Sequence, residues 1–265
     1  YRVRGYYCAW QGCVVSISAD GNTAIVGGFI DDSQTGAAWV FIRIGSTWSQ
    51  QGTKLVGTGA VGAAEQGGSV SISADGNTAM VGGHKDNNNA GAVWVYTRTG
   101  STWSQQGAKL VGTGAVGSSL QGTSVSLSAD GTTAMVGGQG DNTNIGAAWV
   151  YTRTGSTWSQ QGAKLVGTGA VGASRQGSSV SLSANGTTAM VGGDGDNTNI
   201  GAIWVYTRTG TAWTQQGAKL VGTGADGTST QGSAVSLSAD GNTAMAGGDG
   251  DFNTTGASWV YARTG

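Results

Sequence analysis

Few residues in this chain are of the types that make and break bonds. His84 is the one histidine, Glu65 the one glutamate, and Cys8 and Cys13 are the two cysteines. A Ser-His-Asp or Cys-His site would have to be built on His84, which lies in a loop between strand-like segments. One histidine excludes a histidine-rich metal site. No acid–base pair stands out, so no catalytic residue is assigned and an enzyme is not expected.

Oxygen ligands are denser. Short loops carry Asp31-Asp32-Ser33-Gln34, Asp86-Asn87-Asn88-Asn89, Asp141-Asn142-Thr143-Asn144, Asp196-Asn197-Thr198-Asn199 and Asp251-Phe252-Asn253-Thr254. Asp86, Asn87, Asp141, Asn142, Asp196 and Asn197 are therefore candidate ligand contacts. Carboxylate and amide oxygens can hold calcium weakly, although no glutamate completes a shell. The same residues also favour Asx-turns, in which the side chain bonds its own backbone, and they could clasp sugar hydroxyls. No metal site is assigned and no cofactor is expected.

The tryptophans fall into two series. Trp39, Trp94, Trp149, Trp204 and Trp259 lie in mid-strand and read as core. Trp48, Trp103, Trp158 and Trp213 follow a turn, where an indole face could stack on a sugar or cover a sheet edge. Burying such a ring removes roughly 150–250 Å² from water, or about 4–6 kcal/mol gross at 25 cal/mol/Å², which weighs toward packing. Cys8 and Cys13 are close enough in sequence to pair, as suits a secreted protein. Asn185-Gly-Thr187 and Asn253-Thr-Thr255 are N-glycosylation sequons.

These residues recur at a fixed step. Gln11-Gly12, Gln66-Gly67, Gln121-Gly122, Gln176-Gly177 and Gln231-Gly232 are 55 positions apart, and so are the mid-strand tryptophans. In the unit Gln176–Thr230, Ser179–Ser183 alternates apolar and small polar residues, the period of a strand. Asn185-Gly186 reads as a tight hairpin turn, with Asp-Gly at Asp20, Asp75, Asp130 and Asp240 in the sister units. Thr188–Val191 reads as a second strand ended by Gly192-Gly193. A polar loop follows, then a third strand over Ala202–Arg208 and a fourth over Trp213–Val221.

Four short strands per repeat predict a propeller blade, whose two faces are buried only by neighbouring blades. The expected fold is all-β: one five-bladed β-propeller domain over 1–265, each blade of four antiparallel strands. The blades fall at about 11–65, 66–120, 121–175, 176–230 and 231–265. Five units need 275 positions and the chain has 265, so the last unit stops short of its fourth strand. Residues 1–10 lie outside the repeat. The segment Tyr1–Tyr7 is expected to supply the missing strand by pairing with Ala257–Arg263. Done within the chain this gives a closed monomer; done between chains it is strand donation and leads to a filament.

Composition agrees. Glycine numbers 51 and proline 0, charged residues are 10%, and the net charge is −1. Absence of proline and of a three-residue glycine period excludes collagen. Near-neutrality gives no electrostatic basis for binding nucleic acid. No apolar run is long enough for a transmembrane helix, and 10 Trp and 7 Tyr can fill a core.

The stretch Gly-Ser-Ser-Val-Ser-Leu-Ser-Ala-Asn-Gly-Thr-Thr-Ala-Met-Val-Gly-Gly over 177–193, followed by Gly-Ala-Ile-Trp-Val-Tyr over 201–206, resembles the FG-GAP repeat family, which builds the propeller of integrin α-chains. The family's Phe-Gly opening is Gln-Gly here. The place of its Asp-x-Asp-x-Asp calcium loop is taken by the Ala-Asp-Gly turn, so that site is not carried over. The resemblance implies an extracellular or cell-surface adhesion and binding scaffold whose partner is a protein or a glycan. Two alternatives stay open: a lectin with one weak site per blade, and a structural subunit of an extracellular filament.

Overall fold

The computed structural model describes residues 11–263. The predicted N-terminal closing strand and Cys8 lie outside these residues. The first blade comprises β1 (Val14–Ile17), β2 (Thr23–Gly28), β3 (Ala37–Ile44) and β4 (Thr47–Gln50). The second has β5 (Ser69–Ile72), β6 (Thr78–Gly83), β7 (Ala92–Thr99) and β8 (Thr102–Gln105). The third has β9 (Ser124–Leu127), β10 (Thr133–Gly138), β11 (Ala147–Thr154) and β12 (Thr157–Gln160), and the fourth β13 (Ser179–Leu182), β14 (Thr188–Gly193), β15 (Ala202–Thr209) and β16 (Ala212–Gln215). Each is an antiparallel sheet in chain order. The fifth shows β17 (Ala234–Leu237), β18 (Thr243–Gly248) and β19 (Ala257–Ala262) among the described residues. The architecture is a five-bladed β-propeller.

The third strands show why blades must stack. Trp94 and Tyr96 of β7 point back onto Ile25, Ala38 and Val40 of the first blade. Val93 and Val95 point forward onto Leu127, Val136, Trp149 and Tyr151 of the third. Alternate residues of one strand thus fill two cores, which is why these strands are apolar on both faces. The first strands are also stitched together: the Ile72 N–H donates to Ser16 Oγ at 3.2 Å and Leu127 N–H to Ser71 Oγ at 3.1 Å. The faces at the two ends of the array are different. Val15 and Ile17 on the first blade are 66% and 56% exposed, and Met245 and Val260 on the fifth are 49% and 63% exposed.

Three local readings are corrected. The second strands do not stop short of the glycine pairs but include them, ending on the second glycine. A Cβ on Gly82 would sit 2.3 Å from the Gly122 carbonyl oxygen of the next blade, and one on Gly137 would sit 2.1 Å from that of Gly177. Only glycine permits this approach. The first hairpin is longer than a two-residue turn. Ile72 pairs with Ala79, and in between only Gly76 has positive φ, +67°, whereas the tight turn expected for Asp-Gly needs two such residues. Asp75 Oδ1 instead accepts Ser73 Oγ at 2.5 Å and Asn77 N–H at 2.9 Å. The fourth strand is short: β16 ends at Gln215, and beyond it the Gln216 N–H donates to the Val205 carbonyl at 2.7 Å and Leu220 bridges back to Ile203. The expected Cys8–Cys13 bridge is not supported either, because Cys13 stands as a free, exposed thiol.

Candidate functional site

Each loop between second and third strands is a left-handed turn. In the second blade Asn87, Asn88 and Asn89 have φ of +50°, +56° and +68°. Asparagine tolerates this region, but β-branched Thr143 and Thr198 adopt it too, at +56° and +57°, as does Phe252 at +43°. Backbone of this kind costs on the order of 1–3 kcal/mol per residue and persists only where the surroundings enforce it. The enforcing group is the first aspartate. Asp86, Asp141 and Asp196 are fully buried. Their Oδ1 atoms accept the N–H groups of Val61, Val116 and Val171, each at 2.7 Å. Their Oδ2 atoms pair with Lys109, Lys164 and Lys219. Both oxygens of each carboxylate are therefore engaged by the protein. Asn87, Asn142 and Asn197 are exposed, and their N–H groups donate to the carbonyls of the same valines at 2.9 Å. Among the described residues no group of three His, Cys, Asp or Glu is placed to hold a metal.

The outer tryptophans join blades. The indole N–H of Trp103 donates to Gln51 Oε1 of the preceding blade at 3.0 Å; Trp158 and Trp213 bond Gln106 and Gln161 in the same way at 2.9 Å. Arg98, Arg153 and Arg208 lie over these rings at 5.5–5.7 Å from the centroids, within cation–π range. Trp48 of the first blade is 42% exposed under Arg43. Of the sequons, Asn185 is exposed but its Oδ1 is occupied by Ser183 and Thr187, and Asn253 sits exposed in the left-handed turn of the fifth blade.

A set of residues, of which the sequence drew attention only to Glu65 and His84 and to neither as part of a set, emerges where these turns meet the segments that lead into each blade. Glu65, Leu120, Arg175 and Thr230 occupy the same repeat position, all with φ between +52° and +55°. Each donates its backbone N–H to the turn of the blade before, at Gln34, Asn89, Asn144 and Asn199, with distances of 2.8–2.9 Å. The side chains reach the turn of the blade after. Glu65 bonds Lys85 at 2.6 Å and His84 at 3.3 Å; Arg175 pairs with Asp194 at 3.0 Å; Thr230 Oγ1 donates to Asp249 at 2.6 Å. Burial holds the His84 imidazole below its usual pKa, outweighing the pull of Glu65 toward the charged form. Hydrogen bonding from Thr230 holds Asp249 low.

These contacts form a belt that runs from blade to blade at the loop end of the sheets. It is also where the repeats differ. The Ala-Asp/Asn-Gly hairpins and the Trp-Ser/Thr-Gln strands hardly change from unit to unit, whereas the belt reads Glu-His-Lys, Leu-Gln-Gly, Arg-Asp-Gly and Thr-Asp-Gly in successive blades. The signal was present in the sequence as the pattern of differences between units.

Neither a protein-family model nor a curated protein sequence matches the chain. Its fold is similar to that of a putative TolB from Agrobacterium tumefaciens, with a TM-score of 0.55 and 13% identity over 94% of this chain and 76% of that one. TolB from Acinetobacter baumannii gives 0.52 and 12%, over 94% of this chain and 51% of that one. Hydrazine synthase of Kuenenia stuttgartiensis gives 0.59 and 12%, over all of this chain and 67% of that one. The chain thus spans about half the length of the Acinetobacter protein. At such identities the likeness is one of fold alone.

Proposed function

We propose that this protein is a non-catalytic binding module whose recognition surface is the belt of blade-specific residues. The observation that carries this reading is the variation of charge along the belt: at one repeat position after another, Glu65 meets His84 and Lys85, Arg175 meets Asp194 and Thr230 meets Asp249, each at its own blade junction. A lectin with one equal site per blade would repeat its contact residues. Here each blade presents a different charge and shape, which suits one extended epitope on a protein partner. The engagement of Trp103, Trp158 and Trp213 between blades also weighs against sugar stacking as their task. The resemblance to FG-GAP repeats supports an extracellular or cell-surface setting. Among the described residues no helix is long and apolar enough to cross a membrane. Binding is held to need no cofactor, since the loop carboxylates are already paired with lysines.

The test is an array of extracellular proteins and glycans probed with two forms of the chain. One is the parent; in the other the belt is made uniform by Glu65→Thr, His84→Asp, Lys85→Gly, Leu120→Thr, Gln139→Asp and Arg175→Thr. Protein binding by the parent that the uniform belt loses supports the reading. Binding that the uniform belt retains, or binding confined to glycans, refutes it.

A further inference from the structure

The hairpin that joins the first two strands of the fourth blade differs from its sisters in one functional group. Asp20, Asp75, Asp130 and Asp240 hold the position in the other units and Asn185 holds it here, and Asn185 is the one asparagine of the chain that a glycine follows. Its Oδ1 accepts three hydrogen bonds, from Ser183 Oγ at 2.8 Å, the Thr187 N–H at 3.0 Å and Thr187 Oγ1 at 2.8 Å. Ser183 Oγ is itself held in place by accepting the Thr188 N–H at 3.0 Å. Among the described residues no acceptor faces Asn185 Nδ2, and the residue is exposed. The next backbone nitrogen belongs to Gly186, which has no side chain to obstruct closure of a ring onto the carboxamide. One bond ties its N–H, to the Ser183 carbonyl at 2.9 Å.

We propose that Asn185 is a self-modification site, which the folded hairpin converts to aspartate with water as the only co-reactant. Solvent hydroxide takes the proton of the Gly186 N–H as it leaves the Ser183 carbonyl, and the nitrogen bonds to Asn185 Cγ. Negative charge develops on Oδ1, where three donors are already aimed; donors preorganised in this way lower the barrier to such an intermediate. The Cγ–Nδ2 bond then breaks and Nδ2 leaves as ammonia, taking a proton from water. Water adds to Cγ of the cyclic imide and breaks the new Cγ–N bond, which restores the peptide and leaves a carboxylate. One water is consumed and one ammonia released. The product matches the third blade, where Asp130 accepts Ser128 Oγ at 2.5 Å, the Thr132 N–H at 3.0 Å and Thr132 Oγ1 at 2.7 Å. Those contacts reward opening of the imide toward aspartate rather than isoaspartate, whose extra backbone atom would pull the carboxylate out of the turn. The hairpin lies at the end of the sheet opposite the belt, and its chemistry does not depend on the function proposed for the belt.

The full chain, made without glycosylation, is incubated folded at mildly alkaline pH, with a second sample in urea. Trypsin then releases residues 176–208, which lie between Arg175 and the bond after Arg208, for mass spectrometry with fragmentation that separates aspartate from isoaspartate. The expected result is a gain of about 1 Da at residue 185 as amide becomes acid, with aspartate in excess in the folded sample and isoaspartate formed freely in urea. Thr187→Val removes one donor and should slow the folded reaction roughly fivefold, the worth of one hydrogen bond, while leaving the rate in urea unchanged. Thr187→Ser should restore the folded rate. A folded chain that keeps its amide while the urea sample converts overturns the proposal. So does a folded Thr187→Val chain that converts as fast as the parent, because the dipeptide alone would then set the rate, and so does a folded product that is mainly isoaspartate.

Discussion

At the level of single residues, the repeats provide their own substitution experiments. The hydroxyls of Tyr96, Tyr151 and Tyr206 are buried and have no hydrogen-bond partner, and burial pushes these phenols far above their ordinary pKa. The first blade has Phe41 at the same position. An unpaired buried hydroxyl carries a desolvation cost without return. Tyr151→Phe is therefore expected to leave the urea midpoint unchanged or to raise it, and a loss above about 1 kcal/mol would show a hidden partner. The hairpins provide a second case. Burial works to raise Asp75 and Asp130, but hydrogen bonds from Ser73 and Asn77, and from Ser128 and Thr132, outweigh it and hold both carboxyls low. Asn185 takes this position in the fourth blade with neutral hydrogen bonds of 2.8–3.0 Å. Charge-assisted bonds are stronger, so Asn185→Asp should stabilise the chain by up to ~1 kcal/mol at neutral pH. The sign follows from a folded pKa below the unfolded one: the gain is present above the ordinary carboxylate range and disappears as pH falls through the lowered value. Denaturation curves at pH 7 and pH 2.5 would check it, and a gain that survives acid would refute this origin.

At the level of elements, the glycine pairs set the spacing between sheets. Gly137→Ala would force a Cβ against the Gly177 backbone at 2.1 Å, while at Gly247 the nearest atom among the described residues lies at 3.7 Å. The first substitution should cost about 1–3 kcal/mol, as overpacking does, and the second much less; comparable losses would mean that spacing is set elsewhere. The same pair shows what the sequence discloses and what it does not. The 55-residue step and the alternation in Ser179–Leu182 were legible, because strand periodicity is a property of a strand. Gly192-Gly193 looked like an ending, because the reasons for those glycines lie outside the strand: the Gly232 carbonyl of another blade faces Gly192, and the Ser174 carbonyl and the Trp204 ring face Gly193. Ala218-Lys219-Leu220-Val221 looked like strand because it is largely apolar, yet within it only Leu220 bridges to a neighbouring strand. The outer tryptophans looked ambiguous because the glutamine that receives each indole lies 52 positions away. The belt was legible only as differences between units, and the pairing of its residues across each blade junction was not.

In the molecule as a whole, each blade is finished by its neighbours, so burial depends on position in the array. Val95, fully buried between the second and third blades, and Val260, 63% exposed on the last, occupy the same repeat position. Val95→Thr places a hydroxyl in a dry junction and should cost about 1–3 kcal/mol, whereas Val260→Thr should stay within about 0.5 kcal/mol, as exposed sites do. Paired thermal melts would measure this, and equal losses would mean that the end face is covered in solution. The bond from Trp103 back to Gln51 has a further consequence in time. During synthesis chains emerge N-terminus first and fold as units become available. The first blade cannot close its Gln51 until Trp103, 52 residues later, has left the ribosome. Folding would then trail translation by about one repeat, with each new blade completing the one made before it.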